Sequence, residues 1–176
     1  MMDFSHWFLV LCAVVAFYNL GVAWFAQVVV YPLFAQVGPA EYRAYHLFYS
    51  SRIWLPIIVP GFACFLLPIA LVFVRPEPVG QWLALANAAC GVVALLVTVV
   101  LEIPRHARLE KGGKQGAVIR ELILYNWPRT LAITGSSLLT LLMLSAAFAP
   151  VWWNSLISLP ARAADQVACS MEECAI

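Results

Sequence analysis

Residues Trp82 to Leu101 read WLALANAACGVVALLVTVVL, and the next ten, Glu102 to Lys111, read EIPRHARLEK. The first run holds no charged residue over a length that, at 1.5 Å of rise per residue, covers about 30 Å as a helix. That is the thickness of a bilayer's hydrocarbon core. Three more runs of this kind lie on either side: 7–30, 53–74 and 131–153. The sequence therefore predicts an all-α protein, a four-transmembrane-helix bundle in which 82–101 is the third span. A membrane barrel would need ten-residue stretches of strict alternation separated by turns, and none is present. The second span carries Pro56, Pro60 and Pro68. Each removes a backbone donor and should kink the helix.

Composition agrees. The chain is 64% hydrophobic and 11% charged, with a mean hydropathy of +0.88; soluble domains carry about 25% charged residues. Four spans of about 20 residues use roughly half of the 176 residues. One domain, residues 1–153, is expected, followed by a polar tail, 154–176. The net charge of +1 and the lack of a basic stripe exclude a nucleic-acid partner. The first apolar run is too long for a cleaved signal and lacks a basic start, so it is read as a retained span. Cys12, Cys64 and Cys90 sit in apolar runs as small core residues. Cys169 and Cys174 lie in the tail, where a disulfide and two free thiols are both open readings.

Charge sets the orientation. Arg43 and Arg52 fall between spans one and two, and Arg105, Arg108, Lys111, Lys114, Arg120 and Arg129 between spans three and four; the other side has Arg75 and Arg162. Cationic loops stay in the cytoplasm. Segments 31–52 and 102–130 are therefore expected in the cytoplasm and both termini outside, in the periplasm of a bacterial inner membrane. Trp7, Trp82, Trp152 and Trp153 then mark the outer interface, Trp54 and Trp127 the inner one. Short interfacial helices are expected on the cytoplasmic side. One, from Ala40 to Tyr49, extends span two inward; the other, from Gln115 to Asn126, is amphipathic and should lie along the interface. Pro128 is expected in the first turn of span four, where it is tolerated.

The chemistry-bearing side chains collect at that inner edge. Tyr42, Tyr45, His46 and Tyr49, spaced three, one and three, share an arc of about 100° on a helix, and Arg52 flanks it. Gln27 and Tyr31 close span one. Glu102 and His106 close span three. Asn126, Trp127 and Arg129 open span four. A carboxylate at the depth of Glu102 must pair, be hydrated or be protonated, and Arg129, Arg52 and His46 are its partners by depth.

Gln27-Val28-Val29-Val30-Tyr31-Pro32, then Tyr45-His46 and Arg52, then Pro104 and His106, then Asn126-Trp127-Pro128-Arg129-Thr130 together resemble a family of small four-span integral membrane proteins, mostly of unknown function. That family is similar to the anthrone oxygenases, which oxidise a polycyclic anthrone to a quinone without a recognised metal cofactor. The resemblance spans roughly residues 15–135. It implies His46 and His106 as acid/base groups and no cofactor. The residues themselves suit the same task. A histidine with a pKa of about 6.5 can ionise an acidic C–H or O–H. Glu102 and Arg129 complete the candidate catalytic group, with Arg52 or Arg129 stabilising developing negative charge. Gln27, Tyr31, Tyr42, Tyr45, Tyr49, Arg52, Asn126 and Trp127 are the candidate substrate contacts, and the partners are the bilayer and a lipophilic small molecule.

Two other readings stand beside this one. The chain could be a non-catalytic accessory subunit, binding a membrane protein partner through small residues such as Gly91, Gly135, Ser136 and Ser137. His46 and His106 could instead ligate haem iron or a metal, although no Glu-x-x-His or His-x-x-x-His pair supports it. The shared inner-edge pocket needs His46 and His106 on one side of the membrane. Truncation fusions ending beside each should both light a cytoplasmic reporter and leave a periplasmic one dark; a split between the two positions removes the shared edge.

Overall fold

The computed structural model describes the backbone of residues 2–173 and the side chains of residues 2–148. The first rod opens with α1 (Phe4–Phe25), whose N-cap, Asp3, accepts from the His6 backbone N–H at 3.2 Å. It continues through a π-helical turn, Ala26–Val30, into α2 (Tyr31–Gln36). After α3 (Pro39–Arg52), the second rod starts with a π turn, Trp54–Ile58, and becomes α4 (Val59–Val74). The third joins α5 (Gln81–Leu96), a π turn over Val97–Glu102 and α6 (Ile103–Gly112). The fourth is α7, Gly116–Glu173. Four stretches, Phe4–Gln36, Trp54–Val74, Gln81–Gly112 and Gly116–Phe148, are long and apolar enough to cross a membrane. No strand occurs among the described residues. The chain is an all-α integral membrane protein.

The three π turns share one cause. Tyr31 donates to the Ala26 carbonyl, Val59 to Trp54 and Ile103 to Thr98, each five residues back. Each donor is followed by a proline: Pro32, Pro60 and Pro104. A proline has no N–H and its ring presses on the carbonyl four residues earlier, so the helix widens by one residue to stay bonded. All three turns lie at the end of the bundle that carries α3 and the basic segments.

Helices α1 and α5 each pack against both α4 and α7, so neighbours in sequence are neighbours around the bundle. Polar side chains join them at depth. Ser136 donates to Asn87 Oδ1 at 2.6 Å, Asn87 to Thr140 Oγ1 at 3.2 Å, and Asn19 to the Pro60 carbonyl at 2.9 Å. The two deep amides thus bond across helices, as such groups do in lipid.

Several boundaries differ from the sequence reading. Span one runs on to Gln36 and span three to Gly112, because their prolines widen the helix rather than end it. The segment Gln115–Asn126 is not a separate interfacial piece: from Gly116 it forms the first turns of α7, collinear with span four. Its apolar side, Val118, Ile119 and Leu122, is buried with Phe34, Tyr42 and Leu109, which holds it upright. Pro128 consequently sits twelve residues inside α7 rather than in a first turn. The carbonyl that it deprives belongs to Leu124, on an exposed face. The helix expected to extend span two is a separate element, broken at Ile53. Trp152, Trp153, the 154–176 tail and the Cys169–Cys174 pair fall outside the residues whose side chains are described.

Gly91 sets the closest approach of α5 to α4. A Cβ there would lie 2.6 Å from the Phe65 carbonyl oxygen, whereas one on Gly21 would meet nothing within 4 Å. Gly91→Ala should therefore destabilise the bundle by about 1–3 kcal/mol, as overpacking does, and Gly21→Ala should be near neutral. Thermal unfolding of the two variants in one detergent would show the difference.

Candidate functional site

At the proline-widened end, α2, α3, α6 and the start of α7 enclose an aromatic cluster. Its hub is Phe34. Its ring lies 5.3 Å from His46, 5.1 Å from Tyr49, 5.9 Å from Tyr45 and 6.1 Å from His106, mostly edge-on. Nothing polar marks Phe34 in the sequence, but it falls three residues after Tyr31, on the same helical face. The α3 spacing does what it predicts: Tyr42 and His46 are fully buried and Tyr49 half-buried against this hub.

The two histidines meet. His46 Nε2 lies 3.1 Å from His106 Nδ1, with ring centroids 5.3 Å apart. His106 Nε2 has a long contact, 3.5 Å, to the Tyr31 hydroxyl, which also receives Arg129 Nη2 at 3.4 Å. On the far side of His46, Nδ1 has no hydrogen-bond partner among the described residues and faces Glu110 Oε1 at 4.0 Å. Glu110 is one helical turn beyond His106 on α6, so both occupy one face. Burial pushes the His46 pKa down, with the Glu110 carboxylate acting weakly against it. Burial also raises the Tyr42 phenol to about 12, helped by Tyr45, and raises Tyr49.

Glu102 is 1% exposed, and neither carboxylate oxygen has a hydrogen bond among the described residues. It lies beside Tyr31 and Arg129, whose Nε is likewise buried and unbonded. Gln27 and Asn126 are spent on structure. Asn126 donates to Gln27 Oε1 at 2.7 Å and to Thr130 at 3.2 Å, while Gln27 donates to the Ile123 carbonyl at 3.1 Å. Trp127 stacks edge-on against Trp24 at 5.9 Å, and Arg52 lies over Phe48 at 5.2 Å. Arg105 is held by Glu121 at 3.2 Å.

Beside the histidines runs a mostly apolar groove of about 390 Å³ between the second and third rods. His106 and Glu110 border it, together with Trp54, Ile58, Phe62 and Thr98. Of the candidates taken from sequence, only His106 lines it; His46, Tyr31, Tyr49, Glu102 and Arg129 stand behind or deeper. Glu110, Thr98 and Trp54 were missed. The signal for Glu110 was its i+4 spacing from His106. Comparison of the chain with family models, with curated proteins and with solved structures gives no match. Among the described residues no group of three or more His, Cys, Asp or Glu gathers to hold a metal ion.

The lowered His46 pKa has a sign. The unfolded chain takes up a proton near the ordinary 6.5, whereas the folded chain resists it until lower pH. Between those values the unfolded state binds more protons, so the contribution of neutral His46 is full above about pH 6.5 and is lost as pH falls through the window below it. Thermal stability should drop on acidification, and His46→Gln should flatten that slope.

Proposed function

We propose that this chain is a membrane enzyme of an anthrone-oxygenase-like family that binds a lipophilic, weakly acidic aromatic in the groove between the second and third rods. His106 is its base. The observation that carries this reading is a histidine at the wall of an apolar groove, backed by a second, buried imidazole at hydrogen-bond distance. The volume falls in the usual range for small-molecule sites, about 300–1,000 Å³. The bias of the basic residues supports reading this edge as the cytoplasmic face of a bacterial inner membrane, with both termini periplasmic.

The chemistry balances with dioxygen as the oxidant. His106 removes one proton from the methylene of the anthrone. The carbanion adds dioxygen, and the peroxide anion takes a proton back to become a hydroperoxide. Loss of the second C–H proton with cleavage of the O–O bond leaves the ring ketone of the quinone and one water. Tyr31, held by Arg129, is placed to steady negative charge next to the base. The facing ring nitrogens of His46 and His106, 3.1 Å apart, bond to each other, which supports the proton-transfer reading.

Purified protein in lipid nanodiscs, given anthrone in air-saturated buffer, should form quinone with stoichiometric oxygen uptake well above the protein-free rate. His106→Ala should lower that rate about 100-fold or more, the usual contribution of a positioned base. Turnover no faster than the protein-free background with anthrones or quinols would count decisively against the proposal, as would an unimpaired His106→Ala protein.

A further inference from the structure

His46 is 0% exposed and does not border the groove. A buried histidine with a structural role commonly fixes its second ring nitrogen on a carbonyl, but His46 Nδ1 has no such bond and faces Glu110. Glu110 is 35% exposed, near the end of α6, and so reaches water. The row Tyr31, His106, His46, Glu110 therefore runs from the interior to the surface, with separations of 3.5, 3.1 and 4.0 Å.

One hydrogen must lie between the two imidazoles. If His46 Nε2 carried it, the bare lone pair of His46 Nδ1 would face a carboxylate. If His106 Nδ1 carries it, His46 accepts at Nε2 and keeps its own hydrogen at Nδ1, toward Glu110. His106 Nε2 then holds a lone pair beside the Tyr31 hydroxyl. This second assignment gives each polar atom in the row a complementary neighbour. The other groups around the pair are the phenols of Tyr42 and Tyr49 and, behind Tyr31, Arg129 and Glu102.

We propose that His46 and Glu110 form a reversible proton relay for His106, which parks the substrate's proton at Glu110 while the carbanion meets dioxygen. This rests on the function proposed above. The proton enters at His106 Nε2 as the long 3.5 Å contact to the Tyr31 hydroxyl gives way to substrate, the Nδ1 hydrogen passes to His46 Nε2, and the His46 Nδ1 hydrogen passes to Glu110. Three N–H or O–H bonds form and the C–H bond and two N–H bonds break. Both rings end neutral in the opposite tautomer, and the Glu110 carboxylate becomes an acid. No imidazolium is left buried near Arg129, where its desolvation would be costly. No imidazolium therefore stands beside the carbanion to return the proton before oxygen adds. The peroxide then recovers a proton by the reverse shift, which resets both tautomers. The last transfer requires Glu110, 35% exposed, to turn its side chain and close the 4.0 Å gap. His106 is the catalytic residue, and His46 and Glu110 act through it.

Two measurements on the full chain in nanodiscs test this. The first is anthrone turnover. Glu110→Ala should lower kcat about tenfold or more with KM changed less than about twofold, and added formate should restore most of the loss. Glu110→Gln, which accepts a hydrogen bond but takes no proton and fills the space, should be slow and unrestored. Unchanged kcat in Glu110→Ala, or a loss that formate leaves untouched, overturns the relay. The second needs no turnover. In protein labelled with ¹⁵N-histidine, His46 should carry its hydrogen on Nδ1, and Glu110→Ala should shift that signal and mix the tautomers. A His46 hydrogen fixed on Nε2 in both proteins overturns the relay. If wild-type protein oxidises no anthrone, the enzymatic proposal fails, and the tautomers still decide whether the row is wired as proposed.

Discussion

A hydrocarbon layer contains no water to satisfy a backbone amide, so a helix that crosses it must close every bond it can from within. Three prolines at one end of this bundle break that rule locally, and the helices answer by widening. Each π turn inserts one residue and rotates everything beyond it by about 100° relative to an uninterrupted helix. Gln27, Thr98 and Glu102 sit inside such turns, and Tyr31 and His106 follow directly. The aromatic cluster faces inward because the helices are re-phased just before it.

The same widening explains what could be read from the amino acids and what could not. Four spans, the bias of the basic residues and the shared face of Tyr42, His46 and Tyr49 follow from counting and from simple helical spacing. The meeting of His46 with His106 was legible only as a common depth. Its register depends on Pro104 and on α3 packing against α6, which no local pattern encodes. The groove itself left no pattern at all. It is the space between two rods, and its apolar lining of Ile58, Phe62 and Trp54 is indistinguishable in sequence from residues that simply face lipid. Gln115–Asn126 misled for the opposite reason. Its amphipathic pattern is real, but the apolar stripe is covered by Phe34 and Leu109 of this same chain.

Burial also sorts the polar residues into two kinds. Gln27, Asn87 and Ser136 have their hydrogen bonds made inside the bundle and behave as fasteners between helices, while Asn126 donates from Nδ2 but leaves Oδ1 unbonded among the described residues. Glu102, Arg129 Nε and His46 Nδ1 are as deeply set but carry bonding capacity that no described residue uses. Unspent capacity of this kind is costly in a low-dielectric interior, and here it lies behind the one groove wall that presents a histidine.

The groove lies between two rods whose neighbouring surfaces, Trp54 at 66% and Ile103 at 47% exposure, are apolar and bare. For the lipophilic guest proposed above, that apolar rim is the way in from the acyl chains. Under the proposed function, a guest arriving by that route has already left water, so its supply is counted per lipid molecule and not per litre. Diluting the bilayer with inert lipid would starve the site at constant bulk concentration, and a more oil-soluble guest would gain occupancy with no new contact to the protein.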